Sequence, residues 1–268
     1  MDSPVAETME LGVAAYAGAE AARSTIPAFR KQLNQEYSLP PSLLKYAEEQ
    51  TVVSLAAVLN AIRDFGLKER TFSDWGVVSG PRFLGREYLA RHLEKCRLQG
   101  ALGASPLITA YLSLHAVSGT ISLALQIHGP NLGVGGSRGS MSEALLTGLA
   151  MQKQQNLPGV WVTVSEWDPE PIPDDSSQRP EPVCRAVALA LVPAAAQRHG
   201  FKMRLVSNGA DANNQMIPFP TVADLAQFLT NSSADRSRQW VCPLPGIGQL
   251  ELASSTLTKF QACSPRAA

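Results

Sequence analysis

Cysteine is scarce in this chain: Cys96, Cys184, Cys242 and Cys263 are the whole complement. They lie far apart, and no Cys-x-x-Cys or mixed Cys/His spacing occurs, which disfavours both a disulfide scaffold and a structural zinc site. No metal and no cofactor is expected. An excess of one charge is missing too. Lys and Arg number 23, Asp and Glu number 23, and no dense basic run exists, so nucleic acid is not an expected partner. No uninterrupted apolar run reaches the ~18 residues of a membrane span. Met1 to Glu10 is acidic and lacks a basic region before an apolar stretch, so no signal peptide is expected and the expected location is cytoplasmic. What remains is 268 residues with 45% hydrophobic content, enough for the core of one domain or of a domain with an appendage.

The pattern along the chain alternates strands with helices. Gly12 to Tyr16 reads as a short first strand in an apolar run. Pro41 to Phe65 reads as a helix, opened by Pro40-Pro41-Ser42 and closed by Gly66. Trp75 to Ser79 reads as a buried strand ended by Gly80-Pro81, and Arg86 to Gln99 as a charged surface helix. Ser105 to His128 holds one or two buried helices, Leu132 to Gly136 a short strand, and Ser140 to Gln155 a helix. Val160 to Val164 and Val187 to Val192 read as strands on either side of a proline-rich acidic loop, 167–182. Met203 to Val206 is a further strand and Thr221 to Leu229 a short helix. A terminal hairpin is predicted from Trp240 to Pro243 and Gln249 to Leu252 around Gly246-Ile247-Gly248. The expected class is α/β, with a mixed, mostly parallel sheet flanked by helices and an antiparallel edge.

Most of the chemical information lies between Ser105 and Ala144. Ser105-Pro106 opens an apolar helical stretch containing Gly119, and Gly129-Pro130-Asn131 ends it. Val134, Gly135, Gly136, Ser137, Arg138, Gly139 and Ser140 then lead into the next helix. A sharp turn between a strand and a helix offers a side chain at a helix N-terminus, where free N–H groups and the dipole favour negative charge.

This block resembles the β-ketoacyl synthases of the thiolase-like superfamily. The family's Ser-Pro, the glycine in the buried helix, the Gly-Pro-Asn turn, and the strand leading to the nucleophile fall at matching spacings on Ser105-Pro106, Gly119, Gly129-Pro130-Asn131, Val134 and Ser140. The resemblance spans about residues 8 to 210 and is most specific from 105 to 145. It implies a thiolase-like half-fold with the C-terminal half truncated. The implied division is a flexible stretch 1–7, a ketosynthase-like domain 8–210 and a short extension or remnant 211–268.

At the position of the family's nucleophilic cysteine stands Arg138. A guanidinium is not deprotonated in a protein and accepts no acyl group. The family's two histidine motifs, of the His-Gly-Thr-Gly-Thr and Gly-Phe-Gly-Gly-His kind, are also missing; the histidines here are His92, His115, His128 and His199. The resemblance therefore implies no catalytic residue. It implies a chain-length-factor type of subunit that pairs with an active ketosynthase, or with itself, in fatty-acid or polyketide synthesis of the aryl-polyene kind. An acyl carrier protein is a further implied partner. Leu132, Val134 and Gly136 would then lie on the strand that pairs antiparallel across the subunit interface. Ile108, Ala110, Tyr111 and Leu112 would reach towards the partner's acyl pocket.

Two other readings compete. Gly135-Gly136-Ser137-Arg138-Gly139 fits Gly-x-Ser-x-Gly, the nucleophile elbow of α/β-hydrolases, with Ser137 as alternative nucleophile. Asp168 or Asp174 followed by His199 would keep the chain order of a triad, but no oxyanion-loop motif is present. A non-catalytic homodimeric scaffold is the third reading. Arg138 itself has a structural alternative, an ion pair with Glu143 or Glu166.

Overall fold

The computed structural model describes residues 9–40, 42–100, 103, 108–173, 177–196, 200–207, 218–231 and 239–254. In chain order the elements are β1 (Glu10–Ala22), α1 (Ile26–Glu36), α2 (Glu49–Asp64), β2 (Gly76–Pro81), α3 (Arg86–Gln99), α4 (Ile108–Leu112) and α5 (His115–Leu125). Then follow β3 (Asn131–Gly133), α6 (Ser140–Gln155), β4 (Val160–Asp168), β5 (Val183–Pro193), β6 (Phe201–Ser207), α7 (Val222–Asn231), β7 (Gln239–Leu244) and β8 (Gly248–Ser254).

The described strands form one sheet in the order β3-β2-β4-β5-β1-β6-β8-β7. Only the β2–β3 and β2–β4 pairs are parallel. The pairs from β4 through β5, β1, β6 and β8 to β7 are antiparallel. The expected α/β class with a mixed, helix-flanked sheet is present, but the proportion is corrected: parallel pairing is confined to three strands. The reason is the connections. A parallel neighbour needs a long crossover, as α3 to α5 and α6 supply on either side of β3. β4 and β5 are joined by the proline-rich loop and therefore fold back antiparallel.

The two faces of the sheet differ in side-chain size, and that difference places the helices. On one face β5 presents Cys184, Ala186, Ala188 and Ala190, all buried and small. They let α2 lie close, so that helix is buried nearly all round, with Val52, Leu55 and Val58 fully enclosed and α5 behind it. On the other face β5 and β4 present Val187, Leu189, Leu191, Val160, Val162 and Val164, which pack under α6 and α7. Helix α6 still approaches closely because it carries Gly148 at the contact. A Cβ there would stand 2.3 Å from Val162 Cγ2.

Several boundaries move. β1 runs for 13 residues rather than five, because its alternating small residues pair with both β5 and β6. α2 begins at Glu49 and not at Pro41; the Glu48 carboxylate accepts the Gln50 N–H at 2.7 Å and caps it. The strand expected over Leu132 to Gly136 stops at Gly133, since Gly135 and Gly136 have φ of +87° and +88°. α1 was not anticipated. α3 and α6 have the boundaries expected of them. The terminal hairpin forms as β7 and β8, and it joins the same sheet through β6–β8 pairing.

Candidate functional site

The segment from β3 to α6 is a glycine-built elbow. Val134 N–H donates to Ser79 O at 2.9 Å, which carries the chain one residue past β3 beside β2. The two positive-φ glycines then turn it. A Cβ on Gly135 would come within 2.6 Å of Ser140 Cβ, and one on Gly136 within 3.3 Å of Leu114 Cδ2. The elbow is thus wedged between the start of α6 and the turn before α5. Gly139 N–H donates to Ser137 Oγ at 3.2 Å, Ser140 N–H to Ser137 O at 3.3 Å, and Ser142 Oγ to Gly139 O at 2.8 Å. The result presents Ser137 and Arg138 outward, both exposed, at the N-terminus of a 16-residue helix.

Arg138 has no ion pair among the described residues. Its proposed partner Glu166 is engaged elsewhere, and that expectation is corrected. Glu166 Oε2 lies 3.1 Å from the Arg82 guanidinium, and Oε1 accepts Val222 N–H at 2.7 Å. Glu143, the other suggested partner, turns its carboxylate back over the elbow, within 3.5 Å of where Cβ atoms on Gly135 and Gly139 would sit.

Around these groups is an open cleft of about 590 Å³. Ser137, Arg138, Ser142 and Glu143 form its polar side. Phe83, Leu146, Phe219, Leu244 and Ile247 form its apolar side. Phe83 and Phe219 escaped the sequence reading, which predicted the hairpin around Ile247 but gave it no place at the site. Of these two, Phe83 had a signal there, as the large apolar residue just after the Gly80-Pro81 strand end.

Among the described residues, nothing hydrogen-bonded to Ser137 can act as a general base. Ser137 Oγ accepts a local N–H, and no histidine ring is hydrogen-bonded to it among the described residues. Asp168 is paired with Arg185 at 3.0 Å. Asp174 and His199 lie outside the described residues. Nor do the buried cysteines offer a nucleophile. Burial pushes the Cys242 thiol up to about 12 and raises Cys184 well above its ordinary value. No cluster of metal-ligating side chains occurs among the described residues, and no described helix is long and apolar enough to cross a membrane.

The residues suggested for an acyl pocket or interface are spread over two places. In α4, Ala110 is exposed, and the half-buried Tyr111 ring is 5.6 Å from that of Tyr46. Leu112 packs over Gly85, where a Cβ would be 2.4 Å from Leu112 Cδ2. The side chain of Ile108, like Ser105-Pro106, falls outside the description. On β3, Leu132 is 45% exposed, while Val134 packs against the core beneath α6. β3 ends the sheet, and the exposed Leu123 projects from the neighbouring α5.

A second polar cluster, unseen in the sequence, sits behind the elbow at the ends of β2 and β4. Ser165 Oγ donates to Gln50 Oε1 at 3.0 Å, and Gln50 Nε2 donates to Arg82 O at 3.0 Å. Glu48 is 4% exposed. Burial, helped by the charge of Glu49, pushes its carboxyl up to about 8 against the pull of backbone N–H groups from Gln50, Thr51 and Gly85. Arg82 and Arg86 stack on the Phe83 ring at 5.3 and 3.8 Å, linking this cluster to the cleft wall.

No family model and no curated protein sequence matches the chain. Solved structures do. A chain of the ketosynthase ApeO in complex with its chain length factor ApeC, from Xenorhabdus doucetiae, is 16% identical with a TM-score of 0.56. The match covers 91% of this chain and 99% of that one. The ishigamide ketosynthase/chain length factor gives 15% identity, a TM-score of 0.60, and coverage of 91% and 98%. A type II polyketide ketosynthase complex with its acyl-carrier protein, AntDE:AntF, gives 15%, 0.52, and coverage of 69% and 63%. These likenesses establish the class: the chain has the thiolase-like fold of the ketosynthases. Chains from two ketosynthase/chain-length-factor structures match 91% of its length.

Proposed function

We propose that this chain is a non-catalytic ketosynthase-like subunit of the chain-length-factor type. It pairs with an active ketosynthase in polyketide- or fatty-acid-type synthesis, of the aryl-polyene kind. What supports the reading is Arg138: an exposed guanidinium stands on the elbow at the N-terminus of α6, at the position that the family resemblance aligns with the nucleophile. The condensing chemistry then belongs to the partner's cysteine and histidines.

The sheet edge supports the pairing. Val77 N–H donates to Pro130 O and Val134 N–H to Ser79 O, so alternate groups of β3 face β2. The intervening backbone groups face the edge, where no described strand covers them. An uncovered edge bearing exposed Leu132 and Leu123 fits addition of a partner's strand and burial of both leucines. In this arrangement α4, with Ile108, Ala110, Tyr111 and Leu112, contributes to the length of the partner's acyl pocket, and the acyl carrier protein docks on the assembled pair.

The test is co-expression with a type II ketosynthase, followed by size-exclusion chromatography with light scattering. A stable one-to-one complex is expected. Leu132→Lys combined with Leu123→Asp should weaken it at least 100-fold, and Arg138→Cys alone should add no condensing activity. A well-behaved monomer that ignores the ketosynthase would remove the reading. A homodimer disrupted by the same edge variants would replace it with the scaffold alternative.

A further inference from the structure

Helix α3 is turned inside out. An amphipathic helix ordinarily packs its apolar stripe on the core and leaves its charges in water. At about 100° per residue, Tyr88, Leu89, His92, Leu93 and Cys96 share one stripe of α3, and Glu87 and Glu94 lie on the opposite side. The acidic side is the one turned to the fold, because the Glu87 carboxylate pairs with Arg23 just after β1. The apolar stripe faces outward. None of the 14 residues of α3 is buried, and Tyr88, Leu89 and Leu93 are 47%, 49% and 61% exposed.

We infer that α3 is a docking surface for an anionic membrane. The helix lies along the bilayer surface, with Leu89 and Leu93 inserted below the headgroups. This binding does not require the pairing proposed above.

The placement of charge selects this occupant. Arg86 and Arg97 run along one margin of the stripe, and Arg91 and Lys95 along the other. Cations at both margins can reach lipid phosphates while their stems lie along apolar surface. The helix carries these four cations against two carboxylates, and both carboxylates stay on the side away from the lipid. Glu87 and Glu94 do pair with Arg91 and Arg97 along the helix, but both guanidiniums remain open to solvent and can share a phosphate.

Size argues against a protein partner. A helix of this length is about 21 Å long and presents a face about 10 Å wide, on the order of 200 Å². A stable protein interface takes about 800 Å² from each partner, whereas a surface helix with a few leucines and cations suits reversible binding to lipid. The support beneath is fixed. Leu112 packs over Gly85, where α3 begins, and holds the start of the helix to the body of the fold.

The test is co-sedimentation of the full chain, in whatever oligomeric form it purifies, with sucrose-loaded vesicles at neutral pH. Vesicles of equal parts phosphatidylcholine and phosphatidylglycerol are compared with phosphatidylcholine alone. Binding to the anionic vesicles is expected to be at least about 10-fold stronger, and to be lost as salt rises from about 0.05 to about 0.5 M. Leu89→Asp combined with Leu93→Asp should weaken it at least about 10-fold, and Lys95→Glu about 10-fold. All three side chains are exposed, so the melting temperature checks that the variants still fold. Should the double variant misfold, Lys95→Glu and the lipid comparison decide. The inference is overturned if the chain stays in the supernatant with anionic vesicles, if neutral vesicles bind it equally, or if the leucine variant sediments as the original does. In the last case, loss of a ketosynthase complex by the same variant would give the stripe to a protein partner instead.

Discussion

Two polar regions lie back to back at the ends of the parallel strands, and they have opposite characters. The cluster of Glu48, Gln50, Arg82, Ser165 and Glu166 is largely enclosed, and its carboxylates and amide are engaged by backbone or side-chain partners. The elbow of Ser137 and Arg138 is exposed, and its cation is unpaired among the described residues. Most buried polar groups are satisfied, although Arg82 Nε here has no partner among the described residues, whereas an exposed cation needs no protein partner. The enclosed cluster therefore reads as a device for holding the ends of β2, β4 and α7 together. The elbow reads as a surface kept available. Phe83 connects them: one of the guanidiniums on its ring belongs to the enclosed cluster, and its own side chain lines the open cleft.

The contrast breaks most sharply at Glu166. Glu166→Ala removes acceptors from Arg82 and from the first N–H of α7, and should cost about 3 kcal/mol. The lower part of the usual range applies because the Arg82 side chain is 32% exposed and can reach water. Urea unfolding with an unchanged slope would measure it. A cost under about 1 kcal/mol would show that the cluster does not hold the strand ends. Next is Gly135→Ala on the open side. It combines a φ of +87° with a contact of 2.6 Å to Ser140 and should cost about 2 kcal/mol. Here the backbone, not the exposed side chains, carries the stability.

How far each region could be read from sequence follows from the same contrast. The elbow is local: glycines, Ser137 and Arg138 lie within a few residues, so spacing alone placed the guanidinium on the turn before α6. Helices α3 and α6 were legible because Gly85 and Gly100 bound one, and Gly139 and Asn156 the other. The enclosed cluster is assembled from distant positions, Gln50 and Ser165 being 115 residues apart, and no local pattern announces it. α1 escaped because its sequence, Ile-Pro-Ala-Phe-Arg-Lys-Gln-Leu-Asn-Gln-Glu, buries only Ile26 and Leu33, although Pro27 in its first turn was a usable signal. The proportion of parallel pairing was misjudged although its signal was present. A proline-rich connection without a helix cannot carry a parallel crossover between β4 and β5.

The pH response should also separate the regions. Glu48 has a folded value of about 8, far above the ordinary carboxylate value of 4.5. The folded chain thus keeps a proton that the unfolded chain releases. Its contribution is complete below about pH 4.5 and is lost as pH rises through about 8, so stability declines across that window by on the order of 1 kcal/mol per pH unit. Burial also raises Glu170, which acts in the same direction, so the diagnostic is the comparison with Glu48→Gln. Urea midpoints at pH 5, 6.5 and 8 should slope downward for the original chain and flatten in the variant. Equal slopes would mean that Glu48 is hydrated in solution.

The smallest expected effect is at Arg138. If the elbow is a surface held open, Arg138→Gln should change unfolding free energy by no more than about 0.5 kcal/mol, because an exposed side chain without a partner has little to lose. The stability measurement is therefore as informative as any binding measurement. A loss of 2 kcal/mol or more would mean that the guanidinium is tied into the fold in solution. It would then resemble Arg82 behind it and could not count as a free cation. An unchanged stability would leave Arg138 with no share in holding the fold. That outcome would complete the division between a sealed cluster that builds the fold and an open one that serves it.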